Sequence, residues 1–371
     1  FNDNLELGDR KDVDSFIRKH TLIGFNTDNY DLPMLAAFLQ GATNKQLKSL
    51  SDTIINSSKP WWMLRDKYPK LRVPSLDCID LVGATPLMGS LKTYACRIHT
   101  HTLEDLPIHP STTITPEQVP TLENYCANDL DMTYDIHNSL REDIQLRQAM
   151  TKTYGMDMRS KSGPQIAEAV LRLGLSYPDK RTTRVKPFKY QMPDFISFET
   201  PQLRQVQQAV IDATFKINKN GYAELPDELN QAIEFAGAKY KMGIGGLHSQ
   251  EKHQAVLAGN KQLGEWDVGS MYPSIILGQS LYPEHIGEEF CDVYREIFDE
   301  RMAAKAAHNQ IVSNSLKLVL NSSFGKFGSK YSFLYSPELL TAQEELLQAI
   351  RALESLKESQ SSTLVETAQQ T

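Results

Sequence analysis

The chain reads as a multidomain protein of mixed α/β and α+β class, and three features carry that expectation. Thr21–Phe25 (TLIGF) is a short apolar run suited to a buried strand, and Leu32–Gln40 follows as a helix with Pro33 near its start. Gly264–Val268 reads as a further strand, followed by a turn and a helix entered through Pro273. Residues from about Phe290 to Phe327 read as two helices joined by a short polar turn at His308–Gln310. Strands mixed with helices predict layered α/β architecture. A length of 371 residues exceeds one ordinary core and suits two or three domains.

Hydrophobic residues make up 40% and charged residues 23%, a globular balance. The net charge of -7 argues against a general polycation but leaves room for a local basic groove. Cys78, Cys96, Cys126 and Cys291 form no CxxC pair and no zinc spacing, so they read as reduced thiols in a cytoplasmic setting. The longest apolar stretch, Leu32–Leu39, is too short to span a bilayer. The first residue is Phe1, so the chain reads as a cleaved product or a partial reading frame.

The domain order expected is a first α/β domain over 1–150, a connecting region over 151–262, a strand–turn–helix over 263–289, a helical hairpin over 290–328 and a divergent tail over 329–371. Pro60, Pro69, Pro74, Pro107 and Pro110 mark loops in the first domain, and Thr121–Arg147 is a long helical pattern. The connecting region carries basic loop residues, Lys180, Arg181, Arg184, Lys186 and Lys189, suited either to a nucleic-acid backbone or to solvent. In the tail, Leu346, Ala349, Leu353 and Leu356 fall at helical spacing.

The chemistry concentrates in a few segments. Asp267-Val-Gly-Ser-Met-Tyr-Pro-Ser274 places a carboxylate at a strand end and free amides at the following helix start, a geometry suited to a divalent metal bridging phosphates. Arg301 and Lys305 share a helix face, as do Lys317 and Asn321 on the next helix. An antiparallel pair of such helices brings cations and an amide toward one polyphosphate.

Together these segments resemble the family B DNA polymerases, most closely the phage-type members. Asp267–Ser274 is similar to the first palm motif (DxxSLYPS), with Met271 in place of Leu. Lys317–Gly325 is similar to the fingers motif (KxxxNSxYG), with Phe324 in place of Tyr. Asn26-Thr-Asp-Asn-Tyr30-Asp31 matches the second exonuclease motif, and Tyr125-Cys-Ala-Asn-Asp129 the third. The resemblance implies an RNase H-like exonuclease domain, a partial palm and a fingers hairpin. It further implies that Asp267 and the Val268 carbonyl hold metal, that Ser270 and Met271 offer amides to the triphosphate, and that Tyr272 excludes a 2′-hydroxyl. Arg301, Lys305, Lys317 and Asn321, with Phe324 and Gly325 of the same motif, would hold the incoming nucleotide. In the exonuclease, Asp31 and Asp129 would bind metal, Tyr125 would orient water, and Asn26 and Tyr30 would meet single-stranded DNA. Ile244-Gly245-Gly246 resembles the template-contacting connector (YxGG/A), with Gly243 where the family has Tyr; a plain turn is the other reading. The cofactors implied are two Mg²⁺ or Mn²⁺ ions per site. The partners implied are primer–template DNA, dNTPs and replication accessory proteins, with no membrane.

Two family motifs are absent from the sequence: a DxE strand before Asn26, where Phe1–His20 offers only scattered carboxylates such as Asp3, Glu6 and Asp9, and a DTDS hairpin after Gly325. Two-metal chemistry needs at least two carboxylates per site. The expectation is a parent protein that polymerises and proofreads, with this chain weak at both reactions. A non-catalytic DNA-binding or assembly subunit and a standalone exonuclease are the alternatives.

Overall fold

The protein, described by a computed structural model, mixes helices with small sheets. Residues 9–57, 59–176, 186–192, 197–198, 201–235, 238–243, 246–249 and 270–340 are described. The chain divides into two compact units, Phe1–Ser162 and Gly163–Thr371.

The first unit opens on α1 (Arg10–Ile17), whose N-cap Asp9 accepts the amides of Lys11 and Asp12. Strand β1 (Leu22–Gly24) occupies the centre of the expected Thr21–Phe25 run but is not buried as expected: Ile23 is exposed and Leu22 and Gly24 are half-buried. Helix α2 spans Asp31–Leu39, one residue earlier than Leu32–Gln40 at each end, with Pro33 in its first turn, where no intrahelical amide bond is lost. Helix α3 (Asn44–Asn56) starts from a capping box between Thr43 and Gln46. The short α4 (Trp61–Leu64) packs Trp61 and Leu64 against Ala37, Leu50 and Ile54, and Tyr30 joins this cluster at its edge.

Strand β2 (Cys78–Asp80) pairs in parallel with β1, in the register Leu22↔Cys78, Ile23↔Ile79 and Gly24↔Asp80. Helices α5 (Leu91–Arg97), α6 (Val119–Ser139) and α7 (Arg141–Tyr154) complete the unit. Its main core joins Ile79, Leu81, Ala84 and Tyr94 to Ile136, Leu140 and Ile144. The helical pattern expected as one element over Thr121–Arg147 is thus two helices. Leu140 separates them, with φ -97 and ψ 13 and a side chain 8% exposed in that core.

The second unit begins with α8 (Gly163–Gly174) and α9 (Pro201–Asp212). The hairpin of β3 (Lys216–Ile217) and β4 (Ala223–Glu224) follows. The antiparallel sheet of β5 (Ala232–Phe235), β6 (Ala238–Gly243) and β7 (Gly246–Ser249) comes next. Tyr190, Val210, Phe215, Leu229 and Met242 form one core. Helix α10 (Met271–Gly278) precedes α11 (Glu289–Ala306) and α12 (Gln310–Phe327).

The α11–α12 hairpin turns where the polar linker is expected. His308 takes φ 56 and Asn309 caps α12 by accepting the Val312 amide. The two helices run antiparallel: Phe290 meets Phe327 edge-on at 5.8 Å, and the buried Tyr294 hydroxyl donates to the Leu320 carbonyl at 2.9 Å. Helix α8 packs on α12 at close range, since a Cβ on Gly163 would lie 2.6 Å from the Ser322 hydroxyl oxygen.

Candidate functional site

Parallel β1 and β2 both release their chains at one end of a small sheet, and the carboxylates of Asp28, Asp31 and Asp80 gather there. From β1 the chain makes a left-handed turn at Asn26, with φ 62, and enters α2 at Asp31. From β2 it ends on Asp80, only 6% exposed. Asp80 accepts backbone amides from Asn26 at 2.8 Å, Asp28 at 3.2 Å and Val82 at 3.1 Å. Asn29 donates to the Asn26 side chain at 2.8 Å, and the Tyr30 hydroxyl meets Ser51 at 3.0 Å. Tyr30 is therefore held on the α3 side of the loop.

Desolvation is the largest influence on Asp31 and raises its pKa to about 6; its own backbone amide pulls the other way, and the charge of Asp80 adds to the rise. Asp28 is also raised, first by desolvation, then by Asp80, with Lys161 opposing. The Cys78 thiol is pushed up by burial and by the same three carboxylates, against a hydrogen bond from Thr27.

The sign of the Asp31 effect is testable. A raised carboxyl pKa means that proton-linked stability is present below the ordinary value of 3.8 and is lost as pH climbs through about 6. Asp31→Asn is expected to raise the melting temperature by about 2 °C at pH 8. The gain should vanish near pH 4 in thermal unfolding read by circular dichroism; a gain that persists there contradicts the charge crowding.

Tyr125 and Asp129 lie one turn apart on α6. Desolvation and the Asp129 charge raise the Tyr125 pKa, opposed by Lys92, whose ammonium sits 5.3 Å from the Tyr125 ring centre. Asp129 Oδ1 is buried without a protein hydrogen-bond donor. A buried carboxylate oxygen in that condition fits a cation. Asp28 and Asp31 each stand near Asp80, and Asp129 beside Tyr125. Among the described residues, no three His, Cys, Asp or Glu side chains come close enough together to hold a metal ion.

In the second unit, α10 and the helical hairpin converge. Ser270, just before α10, has φ 58, and its hydroxyl accepts from Arg301 Nη1 on α11. Arg301 is 8% exposed, and its Nε has no protein partner. Tyr272 stacks on Phe324 of α12 with ring centres 4.7 Å apart and planes tilted by 37°. Met271 packs at the edge of a small cluster around Ile275. Lys305, Lys317 and Asn321 are exposed on the same hairpin, and neither lysine pairs with a carboxylate among the described residues. The backbone at Gly325 faces open space. The hairpin thus carries the buried Arg301 and, among its exposed cations, Lys305 and Lys317.

Gly246 pairs with Gly243 across β6 and β7, so these two glycines lie in paired strands; Ile244 lies outside the described residues. Asp267, Val268, Gly245, the strand expected at Gly264–Val268, the basic residues Lys180, Arg181 and Arg184, and the helix expected beyond Glu344 lie outside the described residues. Lys186 and Lys189 are described and exposed.

Sequence reading passed over Asp80, Asp28 and Lys92. Asp80 carried the signal used for Asp267, a carboxylate closing an apolar strand, but β2 has only three residues among loop signals. No family model, curated protein or solved structure matches the chain. No described helix is long and apolar enough to cross a membrane.

Proposed function

We propose that the chain is part of a template-directed DNA polymerase that also proofreads. In this reading the first unit is an RNase H-like 3′–5′ exonuclease, and the second carries the start of the palm and the fingers hairpin. The observation that carries the reading is the meeting of Ser270 and Tyr272 with Arg301 and Phe324, residues of separate motifs brought together by α10, α11 and α12. A desolvated guanidinium with an unpartnered Nε beside a helix start is a ready anion site. An aromatic stack beside it offers a face for a sugar or base. The parallel β1–β2 pair with carboxylates at its outgoing end supports the exonuclease assignment.

Asp31 and Asp129 would hold Mg²⁺ or Mn²⁺ in the first unit, and Asp267 with the Val268 carbonyl in the second. Bound metal would neutralise the charge that develops on phosphate during transfer. Arg301 binds triphosphate oxygens, Tyr272 limits the room beside the sugar, and Lys305, Lys317 and Asn321 extend the grip from the hairpin. In the exonuclease, Tyr125 positions the attacking water and Asn26 meets the single strand. Primer–template DNA, dNTPs and replication accessory proteins are the partners, and the cytoplasm is the setting.

A fluorescent dATP analogue titrated into the full chain with Mg²⁺ tests this. Unlabelled dATP should displace it better than ATP, and Tyr272→Ala should narrow that preference by about 10-fold. Failure of every dNTP to bind in the presence of Mg²⁺ sinks the polymerase reading.

A further inference from the structure

We propose that Asp80 is a positioning residue of the first unit, holding the Asn26–Asp31 loop in the conformation that presents Asn26 and Asp31 to a single-stranded 3′ end. This rests on the exonuclease reading. The parallel register sets Asp80 opposite Gly24, at the point where β1 ends and the loop begins. Its Oδ1 accepts the amides of Asn26 and Val82, and its Oδ2 that of Asp28. A carboxylate offers about four acceptor directions, so three amides leave little capacity for a metal. The side chain is 6% exposed and faces the carboxylates of Asp28 and Asp31, with Lys161 the opposing cation that acts on Asp28. A buried carboxylate among like charges is costly unless hydrogen-bonded, and the loop amides meet that need.

The loop needs a clamp in return. Asn26 holds a left-handed conformation, uncommon outside glycine though better tolerated by Asn than by most residues. Its side chain is fixed by Asn29, whose oxygen accepts the Trp61 amide at 3.0 Å. The Leu32 amide bonds back to the Thr27 carbonyl at 3.0 Å, so the turn leads directly into α2 with Asp31 in its first turn. The Asp80 amide donates to the Ser160 hydroxyl at 2.9 Å, which anchors β2 by a contact separate from the carboxylate.

That separation supplies the control. Asp80→Asn keeps the size but turns one acceptor into a donor facing an amide hydrogen. Ser160→Ala removes the anchor of the Asp80 amide and leaves the carboxylate in place. Hydrogen exchange of the segment 22–32 and excision of a 5′-labelled single-stranded oligonucleotide are measured on the full chain, with oligonucleotide and Mg²⁺ varied. Asp80→Asn is expected to lose amide protection in this segment and about 100-fold in excision kcat/KM, with half-saturating Mg²⁺ unchanged. Ser160→Ala should excise at the wild-type rate even if it melts earlier. Should Asp80→Asn fail to fold, Asn29→Ala is expected to reproduce the loss at about 10-fold. Equal losses in Asp80→Asn and Ser160→Ala overturn the proposal, as does a higher Mg²⁺ requirement with protection intact. An active wild type matched by Asp80→Asn, or by Asn29→Ala where that variant stands in, defeats the proposal alone. The chain is expected to excise only slowly, so rates are read over long incubations; a wild type with no metal-dependent excision at all defeats the exonuclease reading, and the proposal falls with it.

Discussion

Arg147→Met should lower the stability of the first unit by about 3 kcal/mol, enough to move its melting temperature by about 10 °C. Arg147 is 3% exposed on α7. Its guanidinium donates to the carbonyl of Lys161 at 3.1 Å, of Asp143 at 3.0 Å and of Gly83 at 3.3 Å, and to the Asp143 carboxylate at 3.3 Å. Three segments thus converge on one side chain: α7, the turn after β2 and the stretch after Met158. Burial lowers the Arg147 pKa, opposed by Asp143, so the hydrogen bonds compensate a desolvated cation. Methionine fills much of the volume but leaves the carbonyls of Gly83 and Lys161 without that donor. Gly83 cannot shift to compensate, because a Cβ there would lie 2.0 Å from the Ser160 carbonyl oxygen and the two backbones already touch. Arg147→Lys should recover little, since an ammonium lacks the planar fork that reaches separated carbonyls. Urea unfolding of the full chain checks the size, and a loss below about 1 kcal/mol rejects the clamp.

The carbonyl-binding role of Arg147 was not legible in the sequence, where Arg147 is only the last residue of the Thr121–Arg147 helical pattern. The break at Leu140 was equally hidden. No glycine or proline marks it, and Ile136, Leu140 and Ile144 are buried together at a spacing that an unbroken helix also places on one face, so the apolar pattern runs straight through the break. By contrast the α11–α12 hairpin was legible to within a residue or two, because polar His308–Gln310 interrupts two long apolar patterns and Asn309 is a natural cap. The Asn26–Asp31 loop was legible as a motif, but its support by Asp80 depends on the pairing of β1 with β2, more than fifty residues apart in the chain. Local patterns carry the elements they punctuate; register between distant short strands leaves no trace in spacing.

Arg301→Met should weaken Mg²⁺-dependent dNTP binding by about 100-fold while leaving the melting temperature unchanged or higher. The two halves of that result arise from the same geometry. Arg301 is 8% exposed, and its contact with the Ser270 hydroxyl leaves Nε buried without a partner. Among the described residues no carboxylate pairs with it. A buried charge in that state destabilises the fold, and methionine of similar length removes the cost. An arginine retained for structure behaves in the opposite way, as Arg147 should, because its donors are consumed by the protein. Arg301→Lys is the intermediate test: it keeps the charge on α11 but loses the fork that engages two phosphate oxygens together. It should bind dNTP between wild type and Arg301→Met. The two quantities are read on one preparation, nucleotide affinity by displacement of a fluorescent dATP analogue and stability by calorimetry. A fall in melting temperature with unchanged affinity would assign Arg301 to packing and remove the contact on which the polymerase reading stands. A higher melting temperature with lost affinity is the signature of a residue kept for its ligand, since stability given up at one guanidinium is recovered only when an anion arrives.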